Sequence, residues 1–109
     1  MIEVDIEGFI ILVGNNSSEN DKLVRESDPE DYWVHISDFS SAHAVVSPMS
    51  IGRFPLKQIK QACLIVKQKN NKCKAMRKLK FDITKIKHIR PTTVPGQVVV
   101  QKILRNINI

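Results

Sequence analysis

The sequence predicts an α+β fold in a single domain: a mixed or antiparallel β-sheet with two helices packed mainly on one face. Three observations lead there. Apolar and polar residues alternate over Ile2–Ile6 and again over Leu79–Thr84, the period of a half-buried strand. Leu56, Ile59, Cys63 and Val66 recur instead at helical spacing. Clusters of Asn, Ser, Gly and Pro cut the 109 residues into short segments, without an internal repeat or a low-complexity tract.

Each element has its own warrant. Ile2, Val4 and Ile6 alternate with acids, Gly8 breaks the run, and Phe9–Val13 is apolar and of buried-strand length; together they predict a hairpin. Gly14–Ser18 reads as a turn. Ser18, three residues before Asp21, resembles a capping box that opens a short helix around Leu23, and Asp28-Pro29 ends it. Tyr32–Ile36 and Ala42–Ser47 are strands by β-propensity, followed by a loop over Pro48–Phe54. Pro55 suits the first position of the second helix, which Asn70-Asn71 stops. In the next strand Leu79, Phe81 and Ile83 point one way, and Lys78, Lys80, Asp82 and Thr84 the other. Pro91 and Pro95-Gly96 delimit a loop before a last strand over Gln97–Leu104.

Composition narrows the function. With 42% hydrophobic and 26% charged residues the chain has the balance of an ordinary globular protein. No apolar run reaches the ~18 residues of a membrane span, so no membrane insertion is expected. The acidic, alternating start is unlike a signal peptide, which points to the cytoplasm or the nucleus. Cys63 and Cys73 lack metal-ligand spacing and read as ordinary thiols, Cys63 in the core. Charge is split along the chain: up to Phe54, 3 basic residues face 10 acids, a net −7. From Pro55 onward 14 basic residues face Asp82 alone, a net +13. Polyanions are the natural partners of such a half. A lysine-rich face that is merely solvated has the same composition.

Two groups of residues are candidates for a site. Strand alternation places Asp31, Trp33 and His35 on one face, and a hairpin that pairs His35 with His43 sets Trp33 opposite Val45. That cluster has two readings. Trp33 stacks a base while the imidazoles donate to phosphate or a base edge, or Trp33 is core and the histidines fix strand register. Asp31 and His35 lie about 13 Å apart along a strand, too far for one metal ion, and no nucleophile elbow or Lys-containing phosphate loop is present. Neither metal, cofactor nor catalytic residue is assigned. The second group is cationic: Lys67, Lys69, Lys72, Lys74, Arg77, Lys78 and Lys80, then Lys85, Lys87 and Arg90. Asn70 and Asn71 among them add neutral donors for sugar or phosphate.

Five motifs in order resemble the NFACT-R domain family over nearly the whole chain: G-N-N-S-S-E-N-D-K-L, D-Y-W-V-H, S-S-A-H-A-V, F-D-I-T and V-P-G-Q-V. The residues that carry the likeness are Gly14, Asn20, Asp31, Trp33, His35, His43, Asp82, Thr84, Pro95 and Gly96. Asn15 departs from the Arg that most members carry after the first Gly, and Ser41-Ala42-His43 replaces the usual G-S-H, as in small stand-alone members. The resemblance implies an RNA-binding module with no enzymatic activity of its own. Its RNA would be tRNA or rRNA, with DNA an alternative, and it would be linked to translation or ribosome quality control. A protein partner would supply the other domains that large members carry. Two further expectations stay open: a protein-interaction subunit whose acidic half docks a basic partner, and a small hydrolase or nuclease built on His35 and His43.

Overall fold

β1 (Ile2–Ile6) and β2 (Phe9–Val13) form the predicted hairpin, with Ile6 opposite Phe9. Glu7 and Gly8 make its turn with φ of 45° and 82°, the two-residue geometry that matches strand twist. The computed structural model describes residues 1–48 and 53–109, so most of the predicted Pro48–Phe54 loop lies outside the described residues.

Helix α1 (Ser17–Glu26) is capped differently from the expected Ser18–Asp21 pair. Asn16 Oδ1 accepts from the Glu19 amide at 2.9 Å, and Glu19 Oε1 reaches back to the Asn15 amide at 2.9 Å. The longer Glu side chain makes that return contact, while Asp21 is occupied by Arg25 at 2.8 Å. β3 (Tyr32–Ile36) follows as expected, and β4 (Ala44–Pro48) starts two residues later than Ala42. The delay has a cause: the His43 amide donates to the Asn20 side chain, outside the strand ladder.

Helix α2 (Leu56–Lys69) begins after Pro55 and buries Ile59, Ala62, Cys63 and Val66. Leu56, expected on that stripe, stays exposed in the first turn, and Ala62 fills the fourth place. β5 (Lys80–Lys85) runs into a 3-10 turn at Ile86–His88. Lys78 precedes the strand with φ of 52°, so it does not share the strand face with Lys80. β6 (Ile89–Pro91) pairs with β7 (Val98–Val100), and β8 (Arg105–Asn108) pairs with β5. The predicted final strand over Gln97–Leu104 holds only the short β7, and β8 begins at Arg105, beyond the predicted range, and serves the other sheet. Thr84 Oγ1, donating to the Lys102 carbonyl at 2.6 Å, pins the link between them.

The main sheet has the order β1-β2-β4-β3-β5-β8, with every neighbour antiparallel among the described residues. The α+β class holds, and the placement of the helices differs from expectation. Val34, Ile36, Ala44 and Val46 pack with α2, whereas Trp33 and Val45 pack with Leu23 and Val24 of α1 on the other face. Central strands β3 and β4 are apolar on both sides, so each face needs its own cover. Burying each large apolar side chain there contributes roughly 1.5–3 kcal/mol.

Candidate nucleic-acid interface

The hairpin register Trp33↔Val45 brings His43 beside His35 on the α1 face. The Trp33 and His35 rings stack within 3° of parallel at 5.3 Å, and His43 meets both edge-on at 5.4 and 5.1 Å. Trp33 Nε1 donates to His43 Nδ1 at 3.3 Å, which assigns the His43 proton to Nε2. The His43 backbone is held as tightly. Its amide donates to Asn20 Oδ1 at 3.1 Å, and its carbonyl accepts from the Gly14 amide at 3.1 Å. Residue 14 has to be glycine, since a Cβ there would lie 2.1 Å from Asn20 Oδ1. Gly14, Asn20, Trp33 and His43 thus form one lock that ties α1 to the start of β4. With 1% of its surface exposed, Trp33 offers no face to a base.

Burial pushes the His43 imidazole down to about 3, and the neighbouring His35 adds to the effect. His35 is lowered too, by burial, against the opposing pull of Asp82. Both rings are neutral near pH 7, so neither brings positive charge to a phosphate. Asp31 points elsewhere: it accepts from Ser47 Oγ at 2.9 Å and from the Asp28 amide at 3.1 Å. Burial raises its carboxyl above the ordinary value. Among the described residues, no three His, Cys, Asp or Glu side chains converge as metal ligands.

Across the sheet His35 is paired in register with Asp82. Asp82 Oδ1 accepts from Ser37 Oγ at 2.5 Å and from Asn106 Nδ2 at 2.8 Å. Sequence reasoning singled out neither partner. Ser37 continues the alternation two residues past His35, a readable signal; Asn106 arrives only through the β5–β8 pairing, which has no local signature. His35, His43, Asp82, Ser17 and Gln97 line a cleft of about 570 Å³. Pro95 and Gly96 form its wall, and Gly96, at φ 82°, packs so closely on α1 that a Cβ would lie 3.1 Å from Ser17 Cα. Thr84 is fully buried and belongs to the fold.

A second cleft of about 460 Å³ adjoins the first, sharing Ser17, Phe39 and Ser40 with it. Asn15 and Asn20 at the head of α1 line it, facing Lys69, Asn70 and Lys72 at the end of α2. Asn70 shapes this rim by capping the turn that follows: its Oδ1 accepts from the amides of Lys72 and Cys73 at 3.0 and 3.1 Å. Buried Cys73 anchors the turn and leaves Lys72, Lys74, Arg77, Lys78 and Lys80 exposed in succession. The remaining cations are placed differently. Lys67 Nζ donates to the Ile109 carbonyl at 3.0 Å, and Lys69 Nζ to Asn15 Oδ1 at 2.8 Å. Lys85 and Lys87 both bind Glu30, at 3.1 and 2.7 Å, and Arg90 reaches the Lys87 carbonyl at 3.4 Å. The ten cations therefore fall into two groups at opposite ends of β5.

Known proteins resemble this chain in sequence and in fold. The coiled-coil domain-containing protein 25 homolog of Dictyostelium discoideum is 32% identical over 63 residues, 55% of this chain and 31% of that protein. The solved C-terminal part of the fibronectin/fibrinogen-binding protein from Streptococcus suis has the same fold, with a TM-score of 0.77. That likeness has 22% identity and covers 93% of this chain and 40% of the other. The chain thus spans under half the length of both. Residues 2–101 match the NFACT protein RNA binding domain, and the chain belongs to that family.

Proposed function

We propose that this chain is a non-catalytic module that holds structured RNA, tRNA or rRNA in kind, mainly by its backbone phosphates. It would act in the cytoplasm, in translation or ribosome quality control, beside a protein that supplies further domains. The observation that carries the reading is the rim from Lys69 to Lys80. Lys69 and Lys72 of this rim line a cleft into which the N-terminal end of α1, with its partial positive charge, also opens, and the exposed Lys74, Arg77, Lys78 and Lys80 follow them along the chain. Fixed cations on a rigid turn position phosphates without reading sequence, so affinity should vary little between RNAs of the same shape. The non-catalytic part is supported by His43, which is buried and committed to Trp33.

Binding to tRNA, followed as salt is raised, tests the proposal. Engaging about five of these cations gives a log–log slope of about −3 to −5, shallower for single strands than for duplex. Reversing Lys72, Lys74, Arg77 and Lys78 to Glu should weaken binding to all RNAs alike. A slope near zero, with the protein instead retained by a basic partner protein, would favour docking through the acidic half. Exposed Glu3 and Asp5 on β1 remain available for that role.

A further inference from the structure

The cleft beside the histidines has a feature that phosphate binding does not use. In a chain of net charge +6, it presents two carboxylates, the exposed Asp38 and the half-buried Asp82, of which Asp82 is held in place by hydrogen bonds. Asp82 is the one acid of the basic half, and it is rigidly aimed: Ser37 and Asn106 both donate to Oδ1, which fixes the carboxyl plane. Oδ2 has no hydrogen-bond partner among the described residues. A carboxylate repels phosphate and accepts from N–H or O–H donors. Next to it, His35 is only partly buried and lines the same cleft. Its ring is stacked parallel to Trp33 and lines the cleft as a neutral aromatic group.

From this juxtaposition we infer that the cleft takes one unstacked nucleobase, guanine by preference, stacked on His35 with its Watson–Crick edge donating to Asp82. The inference rests on the RNA-binding reading and divides its labour: phosphates lie at the Lys69–Lys72 cleft, and a base turns into the adjoining one. The preference follows from donor geometry. Guanine offers N1–H and the N2 amino group side by side, so both converge on the one free oxygen, Oδ2. Adenine and cytosine set a ring-nitrogen acceptor next to their amino group, and uracil flanks its one N–H with two carbonyls. Each of those places a lone pair against Asp82. Asp82 is thereby assigned a specificity role that no cation in the chain can fill.

Fluorescence anisotropy with labelled pentaribonucleotides at low salt tests this: U-U-G-U-U against the same strand with A, C, U or inosine at the centre. The G strand should bind about tenfold or more tightly than the A, C and U strands. Inosine, lacking the N2 amino group, should fall between. Asp82→Asn should bring the G-to-U ratio to within about twofold, since an amide no longer favours a donor edge. Because the inosine arm alters the ligand alone, it tests the proposal without reference to how any variant folds. Equal, salt-sensitive binding of all five strands would overturn the guanine pocket and leave the phosphate reading standing. A preference that survives Asp82→Asn would overturn the role of Asp82. No binding of any strand or of tRNA would overturn both readings.

Discussion

Gly14 and His43 show how much of this surface is held by single atoms. A methyl group on Gly14 would have to displace the Asn20 carboxamide, which in turn holds the His43 amide. Gly14→Ala should therefore cost about 1–3 kcal/mol in urea denaturation, the ordinary range for overpacking. His43 makes a second, pH-dependent contribution. Its folded value of about 3 lies below the 6.5 it has when unfolded, so the unfolded chain takes up a proton that the folded chain refuses. Stability is complete above about 6.5 and is lost as pH falls through the window from there to about 3. The slope contributed by this ring approaches about 1.4 kcal/mol per pH unit. Denaturation midpoints at pH 7 and pH 5 check the direction, and an NMR titration should find the His43 ring unprotonated at pH 5. A midpoint unchanged between the two would mean that the imidazole is hydrated in the folded state. Such residues were only half legible in the sequence. D-x-W-x-H fixes the face that Trp33 and His35 share, yet nothing local says that Trp33 is sealed beneath His35. That depends on α1 crossing the same face.

At the level of elements, what could be read depended on whether the signal was local. The strands of both hairpins and the long helix follow from alternation, turn residues and one apolar stripe, and all are present. The placement of the helices on opposite faces was missed by the expectation of one covered face, although the unbroken apolar runs Tyr32–Val34 and Ala44–Val46 lack the alternation of a half-exposed strand. The early end of β7 and the separate strand β8, which starts only at Arg105, were not legible in the chain. Both turn on the Thr84 hydroxyl, far away in sequence, which holds the Lys102 carbonyl so that β7 leaves for the small sheet and β8 returns to the main one. Thr84→Val keeps the side-chain shape and removes that donor, leaving the carbonyl unpaired at a cost of about 1–3 kcal/mol. Hydrogen exchange should locate the damage. The Leu104 amide, bonded to the Ile83 carbonyl at 3.0 Å, should exchange faster, while the β1–β2 hairpin keeps its protection. Uniformly faster exchange would show that Thr84 supports the whole core rather than one joint.

Across the whole molecule, the steep charge split of the sequence is softened by folding. Glu30 from the acidic half takes both Lys85 and Lys87, and Glu7 takes Lys57 at 2.8 Å. The two lysines hold the Glu30 carboxyl below its usual value, Lys87 first and Lys85 next, the mark of a pairing that favours its charged form. Lys85 also lies over the Tyr32 ring, 5.6 Å from its centroid. Composition counts all these cations equally; the fold does not. The Lys69–Lys80 rim has no acid bound to it among the described salt bridges, so its charge faces outward unopposed. Two double variants separate the groups. Lys72→Gln with Lys74→Gln should flatten the log–log salt slope for tRNA by about 2, one for each phosphate contact removed. Lys85→Gln with Lys87→Gln removes the same formal charge but also frees Glu30, and should flatten the slope by less than about 1. Equal effects would mean that bound RNA displaces Glu30 and spans both ends of β5. In that case the interface would be set by net charge alone, and the cleft between α1 and the end of α2 would have no special claim to the phosphates.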